Sequence, residues 1–420
     1  MNRKLSLLAL LVFTSSFLLS ACMGLIPLEK EPAKSDFGPK ASPQEQQTRT
    51  FEALWADLEK DYIYSETANV NWEALHKKYL ERIQAGLTPE EFVSSIKELE
   101  SELPAGSLRY QSRAERIKSE TTDSVDAGIG AFVGFSEDPK PHIVLLDVIK
   151  GSPAEQAGLK AHDSIFEIDG SPILLEEGVN AVDRVRGPAG STVSLEVQSP
   201  GRPQRSVAVK RGQFAITGKL EARNLTGTKY GYLFFPPVGY ATLANDVTQA
   251  LQMFAKDQQL EGLVLDLRIA KSTGGWPLED LYGMFDSGAL GEFYNRSAKQ
   301  AVTAKAQDIS GSQKVPLVIL VGQNTSGFPE VLAGSLQLHK RAAVIGETTP
   351  GAVEATSAFY LPDGSQAFIE SASFRLLPGG RELGNTGVIP DLPMQNSWDQ
   401  ILPNQDPVLD RAVQYLEGQK

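Results

Sequence analysis

The sequence predicts a multidomain protein of the α+β and α/β classes, built from three folded regions of different pattern. Residues 51–103 carry apolar side chains at helical spacing, which predicts a small helical domain. Residues 125–213 change to short β segments separated by glycine-rich turns. From residue 214 onward, apolar strand segments alternate with helical ones, which is typical of an α/β core.

The composition limits the classes of protein to which this chain can belong. Its 420 residues include 52 Asp and Glu against 40 Lys and Arg, so the formal net charge is −12. With this acidic balance and no long basic run, we expect no nucleic acid as a partner. The chain has 1 Cys, which excludes an intramolecular disulfide and a cysteine-based zinc site. We expect neither a metal nor another cofactor.

The N-terminus has the layout of a secretory signal that ends in the single cysteine. Two basic residues precede an apolar stretch over residues 5–19, and the motif LSAC follows at residues 19–22. This motif is the pattern of a bacterial lipobox, in which the peptide is cleaved before Cys22 and the cysteine carries lipid. The alternatives are an uncleaved anchor or an ordinary cleaved signal, although the stretch is short for a membrane span. Met23 favours the outer membrane if the organism is Gram-negative.

We divide the first part of the chain accordingly. Residues 1–21 are assigned to the lipoprotein signal peptide and residues 22–48 to a tether rich in proline and polar residues, with a reach of about 25–30 Å. The helical domain is assigned to residues 49–122, where TPEE at residues 88–91 predicts the start of a helix. The protein is therefore expected to be lipid-anchored in the bacterial cell envelope and to face the periplasm.

The middle region, residues 123–213, carries motifs that resemble a known binding domain. They are GSPAEQAGL at residues 151–159, DSIFEIDG at residues 163–170 and RGPAGS at residues 186–191. The region resembles a PDZ domain of the permuted kind found in bacterial proteases, which implies that it adds protein C-termini as a strand to a sheet edge. By this resemblance, the loop that receives the carboxylate consists of Gly128, Ile129, Gly130 and Ala131. The alternative is that these glycines only shape a turn.

The last region, residues 214–420, completes a wider resemblance. Its motifs are LDLR at residues 265–268, GETTPG at residues 346–351, LPDG at residues 361–364 and TGVIPD at residues 386–391. Together with the helical and PDZ regions, they resemble the tail-specific, or carboxy-terminal processing, serine peptidases. The resemblance implies that a substrate tail passes from the PDZ domain to a serine nucleophile whose base is a neutral lysine.

The resemblance also places three catalytic positions on residues without the required groups. The family serine lies three residues before a glutamate that opens a helix, and TSGFPE at residues 325–330 puts Gly327 there. The family lysine and glutamine positions fall on Ala352 and Thr356. Ser-Lys chemistry needs a hydroxyl, an amine of lowered pKa and oxyanion donors. These replacements imply a pseudoenzyme.

A relocated site is the alternative. Ser326 is the nearest hydroxyl, although one residue along a helix turns a side chain by about 100°. Lys271, in a loop longer than the usual family form, is the tentative base, and a solvated loop lysine is the simpler interpretation. Gly274 and Gly275 are possible oxyanion donors. The histidines, used by another branch of the family, are expected to be structural: His76, His142, His162 and His339.

Two functions therefore remain open. The first is an envelope lipoprotein that binds C-terminal tails of envelope proteins or peptides through its PDZ domain, with catalysis lost or much reduced. The second is an active serine endopeptidase of envelope proteins that uses Ser326 as a relocated nucleophile. Replacement of all three family groups within a retained scaffold favours the first, because catalysis requires every member of its constellation. The sequence leaves the substrate and the oligomeric state open.

Overall fold

The computed structural model describes residues 41–104, 106–121, 126–216, 218–257, 260–272, 275–384, 386–402 and 405–419. The predicted signal peptide, Cys22 and Gly274 lie outside these residues. Over the described ranges, we find no helix with the length and apolar character needed to cross a bilayer.

The first folded region consists of helices and one short strand. Its elements are α1 (Pro43–Asp61), α2 (Trp72–Gln84), α3 (Pro89–Glu102), β1 (Arg109–Gln111) and α4 (Arg113–Thr121). Helix α1 begins within the segment assigned to the tether, because Ser42 and Glu45 form a capping box at its start. Thr88 and Glu91 cap α3 in the same way, as the TPEE motif predicted.

The middle region is an antiparallel sheet with short helices, as expected of a PDZ domain. Its elements are β2 (Asp126–Ala127), β3 (Ala131–Ser136), β4 (His142–Val148), α5 (Pro153–Gln156), β5 (Ser164–Ile168), β6 (Ser171–Pro172), a 3₁₀ helix (Leu175–Val185), β7 (Gly187–Pro188), β8 (Thr192–Gln198) and β9 (Arg205–Lys210). The main strand order is β3-β4-β5-β8-β9, with β6 beside β5. Strand β3 is an edge strand, so one row of its backbone groups is open to a further strand.

The last region is the α/β core. Its elements are β10 (Glu221–Asn224), β11 (Tyr230–Phe234), α6 (Leu243–Asp257), β12 (Gly262–Asp266), α7 (Leu278–Phe285), β13 (Gly288–Asn295), β14 (Lys299–Ala304), β15 (Leu317–Val321), α8 (Phe328–Leu338), β16 (Ala343–Gly346), β17 (Ala355–Tyr360), β18 (Gln366–Leu376), β19 (Arg381–Glu382), β20 (Leu392–Pro393), a 3₁₀ turn (Trp398–Gln400) and α9 (Pro407–Glu417). The central sheet has the order β10-β11-β12-β15-β16-β20, and its strands are parallel from β11 to β20.

Helices cover both faces of the central sheet. Leu265 and Ile319 belong to the cluster that includes α6, α7 and α8, whereas Val264 and Leu320 belong to the cluster that includes α9. This division follows from the two-residue period of a strand, which sends successive side chains to opposite faces. The carboxyl ends of β12, β15 and β16 consequently form one edge, where open parallel sheets place their ligands.

A second, antiparallel sheet joins the helical region to the core. Its order is β1-β18-β13-β14, with β17 and β19 also beside β18. Strand β1 follows the helices α1 to α3 and pairs with β18, and Ala367 and Ile369 of β18 belong to the same hydrophobic cluster as those helices. The helical region is therefore bound to the core by both backbone hydrogen bonds and buried apolar surface.

Candidate active site and peptide-binding edge

The turn between β15 and α8 holds the position that the family resemblance assigns to the nucleophile. Gly327 is the N-cap of α8 and has φ 73° and ψ −130°, a backbone conformation that strains a residue with a Cβ. Two residues earlier, the hydroxyl of the buried Thr325 donates to the carbonyl of Leu267 at 2.7 Å. A sharp strand-to-helix turn presents the nucleophile in the α/β hydrolases. Here the same kind of turn, residues 324–327, which we call the elbow, has a glycine at the position that the resemblance assigns to the nucleophile.

A buried carboxylate links the elbow to the loop after β16. Glu330 has no exposed surface, and its Oε2 accepts the N–H of Gly327 at 2.9 Å. Its Oε1 accepts the N–H of Gly351 at 2.6 Å and the hydroxyl of Thr349 at 2.5 Å. Burial raises the pKa of Glu330, and these donors oppose the shift. Because Ala352 directly follows Gly351, the positions assigned to the family serine and lysine are neighbours.

The two other replaced positions face solvent. Ala352 and Thr356 are both exposed, and Thr356 lies opposite Glu370 in the ladder between β17 and β18. A methyl group cannot accept a proton from a nucleophile. Gly327 and Ala352, the positions that the resemblance assigns to the family serine and lysine, thus lie close together, but they contain neither a hydroxyl nor an amine.

Ser272 occupies the space that a side chain at the elbow would need. A Cβ on Gly327 would lie 1.9 Å from Ser272 Oγ and 2.8 Å from Ser272 Cβ, far inside normal contact. The N–H of Ser272 also donates to the carbonyl of Ser326 at 3.0 Å, which holds the loop against the elbow. Sequence reasoning did not identify Ser272. The only available signal was the unusual length of its loop.

The tentative relocated nucleophile and base lie side by side. Lys271 and Ser326 form an isolated parallel bridge, in which the N–H of Ser326 donates to the carbonyl of Ala270 at 3.0 Å. Directly paired residues point their side chains to the same side of a ladder, and the next pair points to the other side. Lys271 is partly buried rather than fully solvated, and burial lowers the pKa of its amine. The backbone therefore brings this pair together.

Of the two candidate oxyanion donors, Gly275 lies within the described residues. Gly275 is exposed, has φ 86° and precedes α7. The histidines contact residues other than those of the elbow. His76 contacts Phe51 and Glu52, and His142 contacts Lys140 and Asp399. His162 contacts Trp398, and His339 contacts Tyr282, Asp286 and Leu377. These contacts support the structural role that we expect of each histidine.

The LDLR motif builds a buried ion network at the carboxyl edge of the core sheet. Arg268 is 3% exposed, and its guanidinium donates to the carboxylates of Asp266 and Asp406. Burial alone would raise the pKa of Asp406, but the neighbouring Arg268 lowers it. Since Asp406 is the N-cap of α9, the network fixes that helix on the sheet. The positive charge of Arg268 is thereby neutralised within the protein.

The predicted carboxylate-binding loop lies at the start of β3. Its residues Gly128, Ile129 and Gly130 precede the strand, and Ala131 is the first residue of the strand. The carbonyl of Ile129 accepts the N–H of Ala154 at 2.7 Å, and the carbonyl of Gly130 accepts the N–H of Ile149 at 3.0 Å. In a trans peptide, the N–H points opposite to the carbonyl of the same unit. The N–H groups of Gly130 and Ala131 therefore point opposite to these two bonds, on the side of β3 that has no neighbouring strand, although Gly130 is itself buried and lies beside the ring of Phe214. This arrangement suits a carboxylate ligand.

Strand β3 also approaches the elbow. A Cβ on Gly134, in the middle of β3, would lie 3.2 Å from the side-chain amide nitrogen of Asn324, which belongs to the turn that leads into α8. A strand added along β3 would therefore start at the loop around Gly130 and run toward the elbow.

Comparison with known proteins agrees with this geometry. The model of peptidase family S41 matches residues 229–394, a PDZ domain model matches residues 144–199, and the tricorn protease C1 domain model matches residues 43–99. These three matches correspond to the core, the middle region and the helical region.

Whole-chain relatives extend the match. A carboxyl-terminal-processing protease of Picosynechococcus sp. is 31% identical over 353 residues, which is 80% of this chain and 80% of that protein. The carboxy-terminal processing protease CtpB of Bacillus subtilis is 27% identical over 80% of this chain and 69% of its own length. Among solved structures, a photosystem II D1 C-terminal processing protease superposes with a TM-score of 0.61 at 22% identity, over 87% of this chain and 96% of that chain. The chain belongs to peptidase family S41, alongside relatives named as carboxyl-terminal-processing proteases.

Proposed function

We propose that this protein is a lipid-anchored member of the family that captures the C-terminal tails of envelope proteins, with hydrolysis lost or much reduced. One observation carries the proposal: Gly327 and the residue pair Gly351-Ala352 are joined through Glu330, yet Gly327 and Ala352 supply neither the hydroxyl nor the amine of the family, whereas β3 is an open sheet edge. The position of Ser272 supports it further, because a side chain at Gly327 would clash with Ser272 Oγ and Cβ.

The binding half of the proposal follows from the edge of the PDZ sheet. The N–H groups around Gly130 receive the terminal carboxylate, and β3 pairs with the preceding residues of the tail. Backbone pairing gives affinity without a requirement for sequence, whereas the carboxylate requires a free C-terminus. Such a domain serves as an adaptor that gathers tails of proteins at the membrane.

The membrane half of the proposal rests on the signal sequence and Cys22. Cleavage before Cys22 and acylation of its sulfur would anchor the chain, because each buried CH₂ contributes about 0.8 kcal/mol. The variant Cys22→Ser should leave the membrane fraction or remain an unprocessed precursor. Unchanged fractionation, with no incorporation of a labelled fatty acid into the native protein, would contradict anchoring.

A combined binding and cleavage experiment tests the main proposal. The detergent-solubilised full chain is titrated with apolar-ended peptides that carry either a free carboxylate or a C-terminal amide. We expect saturable binding of the free acids, at least about tenfold weaker binding of the amides, and intact peptides by mass spectrometry. Equal affinity for both forms would refute tail capture, and rapid cleavage would refute the loss of hydrolysis.

A serine endopeptidase with a relocated site is the second candidate, favoured by the bridge between Lys271 and Ser326. The partly buried amine of Lys271, when neutral, would take the proton from Ser326 Oγ as this oxygen attacks the scissile carbonyl. The lysine ammonium would then give this proton to the leaving amine as the C–N bond breaks, and water would hydrolyse the acyl-enzyme to release the new C-terminus and free Ser326. Labelling by a fluorophosphonate that disappears in both Ser326→Ala and Lys271→Met, but not in Ser272→Ala, would establish this candidate. Labelling that is absent from the native chain would exclude it.

A further inference from the structure

A cavity of about 470 Å³ lies between the PDZ domain and the carboxyl edge of the core sheet. One wall is the outer part of β3 and the turn after it, from Gly134 to Asp138. The opposite wall contains Arg268 and Ile269 after β12, the turn at residues 322–324 after β15, and Glu347 after β16. The cavity therefore continues the edge of β3 toward the core.

The charge of this cavity is one-sided. Its lining includes the carboxylates of Glu137, Asp138, Glu347 and Asp399. The lining residues include no lysine or histidine, and the guanidinium of Arg268 is already shared between the buried Asp266 and the partly buried Asp406. Asp399 contacts the ring of His142 at 3.2 Å, which leaves Glu137, Asp138 and Glu347 as the carboxylates without a basic neighbour in the lining. The unbalanced charge is consequently negative, and the acidic balance of the whole chain adds to it.

The wall also contains polar atoms without partners. Trp398 is 9% exposed, and its indole N–H donates to no group in the described residues. The side-chain oxygen of Asn396, also in the wall, likewise accepts no hydrogen bond there. An unpaired donor and an unpaired acceptor cost free energy when they are buried. An extended peptide presents both complementary groups, a C=O and an N–H, at each residue.

The register of a bound tail locates the part that reaches the cavity. A tail whose carboxylate lies at the start of β3 runs antiparallel to it, and a strand advances about 3.3 Å per residue. Along the chain from Ala131, the cavity begins three residues later, at Gly134, and ends seven residues later, at Asp138. Residues about three to seven positions before the carboxylate thus pass the acidic wall.

We infer that this cavity is a specificity site for a lysine or arginine side chain, located about three to seven residues before the C-terminus of the captured tail. The inference rests on the proposed tail capture and names the chemistry of the tails. Successive side chains of the added strand point to opposite faces, so a basic residue reaches the cavity only at alternate positions. The preferred partner is a protein tail with a free carboxylate, an extended segment and a basic residue upstream.

The test is a lysine scan read by fluorescence anisotropy on the detergent-solubilised full chain. Peptides of ten residues with an apolar C-terminal residue carry Lys, Ala or Glu at each position from the third to the seventh before the carboxylate. We expect Lys peptides to bind about three to ten times more tightly than the matching Glu peptides, at alternate positions only, and the difference to shrink in 0.5 M salt. A uniform preference at all positions, or none at any, would overturn the inference.

Protein variants locate the effect. In Glu347→Gln, the Lys preference should fall, and an unchanged midpoint of urea unfolding shows that the variant is folded. Glu196→Gln, on β8 of the same PDZ sheet and outside the cavity lining, is the matched control and should retain the preference. Equal preferences in both variants would overturn the inference.

The same experiment separates failure of the inference from failure of the proposed function. If amidated peptides bind as well as free acids, tail capture itself fails. If the carboxylate is required but Lys and Glu peptides bind equally, only the acidic specificity site fails. Competition by spermidine that matches the Lys peptide in strength would show a site for free polyamines and would also overturn the inference.

Discussion

The elbow at Gly327 and the edge of the PDZ sheet are both glycine-containing turns beside a strand, yet they differ in which polar groups remain free. At the elbow, the N–H of Gly327 is bonded to Glu330, and Ser272 fills the space above it. At the PDZ edge, the carbonyls of Ile129 and Gly130 are bonded within the domain, so the N–H groups of Gly130 and Ala131 point to the opposite side, where no strand is paired. A ligand can use only groups that the protein has not already paired.

Under the proposed function, this difference explains how a family scaffold is kept while hydrolysis is lost or much reduced. The elbow is stabilised by hydrogen bonds to a buried carboxylate, which do not depend on a nucleophile at Gly327. The PDZ edge, by contrast, stays complete as a binding surface because its geometry is set by the backbone. The variants below alter one region while the other serves as the internal control, beginning with the largest expected effect.

The largest effect is expected when the carboxylate of the elbow is removed. Glu330→Ala leaves the N–H groups of Gly327 and Gly351 buried without their acceptor, which should lower the free energy of unfolding by about 3–5 kcal/mol. Urea denaturation measures the loss. The exposed Glu417→Ala should change stability by less than about 0.5 kcal/mol. A loss below about 1 kcal/mol in Glu330→Ala would show that the elbow does not depend on this residue.

The next effect is a gain of reactivity when the elbow is rebuilt. The double variant Gly327→Ser with Ala352→Lys supplies the hydroxyl and amine, but Ser272 still occupies the required space. Adding Ser272→Gly should free that space and raise the rate of fluorophosphonate labelling at least about 10²-fold above the native chain. Equal labelling of the double and triple variants would show that Ser272 is not an obstacle. Tail binding should be the same in all of them.

The sequence predicted the regular parts of the fold well. The apolar periodicity of the helical region, the TPEE cap and the central strands of the core all correspond to observed elements. These features are local, so a pattern of a few residues contains them. The second sheet was not predicted, because the pairing of β1 with β18 joins segments separated by more than two hundred residues. Single-sequence patterns contain no information about such distant pairing.

The candidate site was predicted in its composition rather than its geometry. The motif TSGFPE located Gly327, because the family serine lies three residues before the glutamate that opens a helix. The structure places Gly327 at the N-cap of α8. The bridge between Lys271 and Ser326 could not be derived, since it depends on how two loops meet. The steric role of Ser272 was missed for the same reason. Side-chain proximity between loops is set by tertiary packing, which a sequence motif does not describe.

A smaller effect is expected at the peptide-binding loop. Gly130 has φ 78°, and a Cβ there would lie 2.4 Å from the Cβ of Ser152, so Gly130→Ala must move the loop. We expect the affinity for free-acid tails to fall about tenfold, because the N–H groups lose their alignment. Gly170→Ala, with φ 76° and open space around it, carries the same strain without the clash and should bind normally. Equal weakening in both variants would point to general destabilisation.

The smallest effect is a pH dependence of stability that belongs to the core and not to the PDZ edge. Burial and the nearby Glu354 raise the pKa of Glu370 to about 7. Because folding favours the protonated carboxyl, its stabilising contribution is complete below about pH 4.5 and is lost as the pH rises to about 7. Since Glu370 is half-exposed, the loss should be about 1 kcal/mol or less. Glu370→Gln should flatten the urea stability curve up to pH 8 and leave tail binding unchanged. Burial raises the pKa of the Asp57 carboxyl to about 6, so Asp57→Asn should flatten the stability curve only below that pH. Identical curves for the two variants would contradict the assignment of the pH dependence near pH 7 to Glu370.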